Sequence, residues 1–196
     1  MSPCQKSKVW HAFLSTSTVN AIDRIGQGPW RDRNGRLFAN TVQELLNARP
    51  LNADAAIKND FPNEYGVANS DPDNTGTPEA VDNHEILTGT GADGKVYTQT
   101  TSSTGGFPDF SGACGNGEEW TVAKATCWDW TSSEQQGCPR VGHSWPGVSG
   151  PNWMSVFNEG GCAPGGNLAQ TGGLDGTRRV GAAGGYGGFY CFAVTP

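Results

Sequence analysis

Apolar residues come in short bursts separated by long polar, glycine-rich stretches, and the spacing within each burst predicts an element. Val9-Trp10-His11-Ala12-Phe13-Leu14-Ser15 mixes apolar with small polar positions, as a half-buried strand does. Behind the cap residues Ser17 and Thr18, Val19, Ile22 and Ile25 fall three apart, which predicts a short helix with one apolar face. Gly26 to Trp30 breaks it, Asp32-Arg33-Asn34-Gly35 reads as a turn, and Arg36-Leu37-Phe38-Ala39 returns as a strand. Thr41-Val42-Gln43-Glu44-Leu45-Leu46 predicts a second helix, with Thr41 and Glu44 spaced as a capping box.

From Asn47 to Asp82 the chain is polar, holds four prolines and keeps no steady period, so a long loop or insertion is expected at about 47–83. Glu85 to Thr90 predicts a strand entering a tight turn at Ala92-Asp93-Gly94-Lys95. Thr98 to Gly117 and Ser132 to Gly173 read as loops flanking the aromatic-rich stretch Trp120 to Trp130. Gly187 to Val194 reads as a closing strand that can be buried centrally. Short strands, two short helices and long loops describe an α+β fold, and 196 residues fit one domain spanning 1–196.

Composition changes this picture by asking what keeps the loops ordered. Apolar residues make up 35%, against 29 glycines and 12 prolines, so the core is sparse for the length of chain it must hold. Six cysteines with seven tryptophans and 16% charged residues predict three disulfides and an oxidising compartment, extracellular or cell-envelope. A structural zinc site is disfavoured, because there is no C-x-x-C pair and His11, His84 and His143 lie far apart in sequence. The net charge of −6 repels phosphate backbones and anionic membrane surfaces, so no nucleic-acid partner is expected. No apolar run is long enough to span a bilayer. Met1 to Lys8 lacks the apolar core of a signal peptide, so an exported form is expected to have lost its leader or to begin upstream.

In this order along the chain, Val9 to Ser15, the helix after it, Pro29 to Ala39 and Val42 to Leu46 resemble the first half of the endostatin domain of collagens and its bacterial relatives. Leu87 to Gly94, Cys127-Trp128-Asp129-Trp130-Thr131-Ser132-Ser133, Val141 to Ser144, Asn152-Trp153 and Phe189 to Phe192 continue the resemblance to the last strand. It implies an endostatin-like, C-type-lectin-like domain with long disulfide-pinned loops. By position it implies that Cys4 pairs with Cys191 and Cys127 with Cys162, leaving Cys114 and Cys138 to each other in a loop the family lacks. Relatives carry a strand and a helix upstream of the position of Cys4, where this chain has only Met1-Ser2-Pro3.

Candidate chemistry is sparse. Asp71, Asp73, Thr75 and Asp82 place oxygen ligands at calcium-loop spacing, which fits Ca²⁺ as a cofactor and equally an Asx-turn surface loop. Trp145, Trp153 and Asn152 sit in Gly- and Pro-rich sequence, where tryptophans either stack on a ligand or pack beneath the loops. Gly142-His143-Ser144-Trp145-Pro146-Gly147 departs from the hydrolase elbow at Pro146. Arg31, Arg33 and Arg36, with Arg178-Arg179, are too few for a strong heparin surface on an acidic chain. The expected function is therefore a non-enzymatic binding module recognising an extracellular protein or glycan through its long loops. A hydrolase of polysaccharides or esters, drawing on His143, Ser144, Glu118, Glu119 and Asp129, and a structural surface or filament subunit are the alternatives.

Overall fold

The computed structural model describes residues 8–71, 83–98, 114, 116–145, 152–168 and 176–194. In chain order they form β1 (Trp10–Ala12), a 3-10 turn (Ala21–Arg24), β2 (Trp30–Arg31), β3 (Leu37–Ala39), α1 (Val42–Leu45), β4 (Glu85–Leu87) and α2 (Val122–Ala125). The series continues through β5 (Arg140–His143), β6 (Phe157–Asn158), β7 (Ala163–Gly166), β8 (Arg179–Gly181), β9 (Gly188–Phe189) and β10 (Cys191–Ala193). The protein is thus a mixed α+β chain of small sheets and short helices.

Four strands make the largest sheet, in the order β6-β5-β4-β9, with β4 antiparallel to β5 and parallel to β9. All three residues of β4 are buried, as a central strand requires. The strand β1 pairs antiparallel with β10, so the start of the described chain is laced to its end. Beneath these sheets Phe13, Trp30, Phe61, Trp153 and Phe192 form an aromatic core with Ala21, Ile25, Leu45 and Met154. Phe13 and Trp153 have ring centroids 4.9 Å apart, and Trp30 meets Phe192 edge-on at 5.5 Å.

Four expectations are corrected. The first helix is a 3-10 turn that starts only at Ala21, and Val19 is exposed. Thr16 Oγ1 takes the Val19 N–H at 3.0 Å and Ser15 Oγ takes the Ala21 N–H at 2.9 Å, a side-chain turn that competes with helix at those positions. The segment after Asn47 is irregular but not peripheral, because Ile57 and Phe61 are buried and the Trp153 N–H donates to Ala48 O. Ser132 to Gly173 carries three strands, β5, β6 and β7. They were hidden because close backbone approach, not apolar alternation, dictates their residues: a Cβ on Gly142 would lie 1.9 Å from the Trp153 carbonyl oxygen. Lastly, the closing strand divides at Tyr190 into β9, whose Phe189 is exposed, and β10, whose Phe192 is in the core.

Two disulfides fasten the loop half, Cys114–Cys138 and Cys127–Cys162. Cys127–Cys162 is the pair that the endostatin-like resemblance implies by position, and Cys114–Cys138 is the pair it leaves over. Cys4 lies outside the described residues, and Cys191 is bonded to neither pair. Among the described residues no helix is long and apolar enough to cross a membrane.

Candidate functional site

In the loop half Thr121 caps α2, its hydroxyl accepting from Lys124 N at 3.2 Å, and the helix ends after one turn. The chain then turns left-handed for four consecutive non-glycine residues, Cys127, Trp128, Asp129 and Trp130, with φ of 45°, 51°, 57° and 66°. That conformation costs roughly 1–2 kcal/mol per L-residue, so its surroundings must impose it. Cys127 is tied to Cys162. The Asp129 carboxylate accepts from Ser17 N at 2.6 Å and Ser17 Oγ at 2.7 Å, and the Trp130 indole N–H donates to Ser15 O at 2.7 Å. The two bonds from Ser17, the amide's first, hold the Asp129 carboxyl below its usual range. The Trp128 ring rests against Gly137, where a Cβ would meet Cys162 Sγ at 2.6 Å and the indole at 3.2 Å.

Trp128 is 38% exposed and forms a wall of an open groove of about 720 Å³, together with Glu118, Lys124, Thr131, Ser132 and Gln136. Glu118 is fixed there by Lys124 at 3.3 Å and Arg178 at 2.8 Å. Partial burial pushes its carboxyl up, but the Gly137 N–H and these two cations outweigh it and hold Glu118 below the usual range. Behind it the Cys114–Cys138 bridge and the Cys114 N–H, donating to Glu118 O at 2.7 Å, close the rim. An aromatic face set in a rigid frame beside hydroxyl, amide, carboxylate and ammonium groups can stack on an amphipathic ligand and hydrogen-bond its edge.

The residues expected from the sequence are not gathered in one place. Trp153 has no exposed surface; its indole N–H donates to Leu45 O at 3.0 Å and its rings fill the core, so it cannot stack on a ligand. Asn152 is buried too, its carbonyl oxygen accepting from Met154 N at 2.7 Å to shape the turn into the core. Trp145 is partly buried with its ring 5.3 Å from that of His84. Of the calcium candidates, Asp73, Thr75 and Asp82 lie outside the described residues; Asp71 is partly buried, its N–H donating to Ala68 O. Ser144 is buried, its hydroxyl 3.3 Å from His84 O. Burial first, then the charges of His84 and Arg49, keep the His143 imidazole well below its usual range and therefore neutral. Arg36 is paired with Asp32 at 2.6 Å, and Arg31 and Arg33 donate to the carbonyls of Gly35 and Glu64.

Trp128 was legible in the sequence only as part of a cysteine-flanked block. The signal that singles it out, a positive φ shared by four residues with side chains, has no signature in residue type, since such residues rarely adopt it. Comparison of the chain with models of known families, with curated proteins and with solved structures finds no match. What the molecule itself defines is an α+β protein with two disulfides among its described residues, a combination consistent with an oxidising compartment.

Proposed function

We propose that the chain is an extracellular or cell-envelope binding module of the endostatin-like, C-type-lectin-like kind, and that it recognises a glycan in the groove beside Trp128. The observation that carries this reading is the exposed Trp128 held in a left-handed turn that a disulfide and three hydrogen bonds from Ser17 and Trp130 impose. Strain maintained at an exposed aromatic residue is strain kept for presentation, and a ring fixed in advance loses little entropy when a sugar stacks on it. Thr131, Ser132, Ser133 and Gln136 supply neutral hydrogen-bonding groups along the groove, and its two carboxylates, Glu118 and Glu134, outnumber its one ammonium, Lys124. That lining suits neutral, hydroxyl-rich ligands better than polyanions.

The test is a glycan array with the disulfide-intact protein, followed by calorimetry on the hits with Trp128→Ala. Loss of one stacked ring should weaken binding by about 10-fold or more while leaving the thermal midpoint within a few degrees. Hits that bind Trp128→Ala as tightly as the parent would remove the groove from the reading. Binding confined to proteins would replace the glycan with a protein partner at this face.

A further inference from the structure

We propose that His84, Glu85 and His143 form a binding site for one divalent transition-metal ion, with zinc the best-fitting ion, at the end of the β4–β5 pair. Glu85 and His143 face one another across that pair as register partners, and His84 immediately precedes β4. One carboxylate oxygen, Glu85 Oε1, stands 3.0 Å from His84 Nε2 and 3.8 Å from His143 Nε2. Two ligands of a tetrahedral zinc ion at its usual bond lengths lie about 3.3 Å apart, so the two distances bracket the spacing a bound ion requires. One ligand atom from each of the three residues lies within 4.8 Å of the others. Two imidazoles and a carboxylate, with a further position left for water or another donor, are a donor set that zinc takes readily.

A hydrogen-bonded His–Glu–His cluster would account for the first of those distances but not for His143. Its side chain is 5% exposed, and among the described residues neither of its ring nitrogens has a hydrogen-bond partner. A buried imidazole nitrogen left without a partner is costly, and an ion at the apex of the triangle would take the lone pair of one of the two, Nε2. The frame is already rigid: His84 N and Glu85 N both donate to Gly184 O, Ser144 N donates to His84 O at 2.7 Å, and Arg49 Nη1 donates to His143 O at 2.9 Å. His84, with 14% of its side chain accessible, marks the side from which an ion enters.

The test uses the full disulfide-intact chain, stripped of metal with a chelator and titrated near neutral pH with Zn²⁺ by calorimetry. X-ray absorption on the zinc-loaded protein then counts imidazole ligands. The expected result is one ion per chain with two imidazoles, and a rise in thermal midpoint on loading. Loss of an outer-shell partner typically costs about 10–100-fold in metal affinity, so His84→Ala and Glu85→Gln, which remove a ligand, should each cost at least about 100-fold. His84 is the decisive position because it is the least buried of the three, and the folded state of each variant is checked by near-UV circular dichroism without metal. His11→Ala, altering the exposed histidine that bonds Arg24 O, should leave affinity unchanged. The proposal is overturned by no binding at millimolar zinc, by His84→Ala binding as the parent does, or by His11→Ala abolishing the site.

Discussion

At the scale of single residues, Asp129 joins two parts of the chain that are 112 positions apart, and it does so from inside the left-handed turn. Its carboxylate receives both the amide and the hydroxyl of Ser17, so its removal frees two donors and relaxes the turn together. Asp129→Ala should therefore destabilise the protein by about 1–2 kcal/mol, read as a lowered urea midpoint with an unchanged slope. The same contact carries a pH dependence whose sign follows from the lowered carboxyl. A carboxyl that binds its proton less readily when folded stabilises the fold above the unfolded value of about 3.9, and that contribution disappears as the pH falls through the lower folded value. Acid titration of stability below about pH 4 should accordingly be shallower in Asp129→Asn than in the parent. A steeper or identical acid limb in the variant would show that Ser17 is not held through the charge. Nothing in the sequence pairs Ser17 with Asp129, since the link joins two polar residues in segments that carry no shared pattern.

At the scale of elements, what could be read was what is local. Thr41 was legible as a helix cap, and its hydroxyl does accept from Glu44 N at 3.3 Å, because that contact is decided within four residues. The return leg of the box is displaced by one residue, with Glu44 Oε2 taking Asn40 N at 2.7 Å. Because α1 has only four residues and delivers Leu45 into the core beneath Trp153, its cap matters more than it would on a long helix. Thr41→Ala should cost about 1 kcal/mol, and Thr41→Ser a few tenths, by chemical denaturation. The strands β5 to β7 escaped notice for the opposite reason. Gly142 and Gly166 obey the needs of neighbouring backbones from distant segments, a constraint that leaves no alternation of apolar and polar residues to detect. The His84–Glu85–His143 cluster was hidden in the same way. Fifty-odd residues separate its histidines, and only the β4–β5 register turns Glu85 and His143 into neighbours.

At the scale of the whole molecule, the two halves rest on different forces. The aromatic core joins residues from Phe13 to Phe192 and accounts for the end-to-end pairing of β1 with β10. The loop half, which presents Trp128, is fastened by bridges spanning 24 and 35 residues. By the chain-entropy account, closing loops of that size is worth about 3–4 kcal/mol each, comparable to a large share of the total stability of a domain. Reduction should therefore act unevenly. Amide exchange in the reduced protein should quicken first in 116–138 and 160–163, while β4, buried in the four-stranded sheet, stays protected under mild conditions. The double change Cys127→Ser with Cys162→Ser releases the left-handed turn itself, so it should abolish groove binding. Cys114→Ser with Cys138→Ser loosens only the rim behind Glu118 and should weaken that binding without erasing it. If both pairs of substitutions instead left exchange in the loop half as slow as in the oxidised protein, packing and not covalent closure would be holding Trp128 in place, and the groove would be rigid for a reason independent of redox compartment.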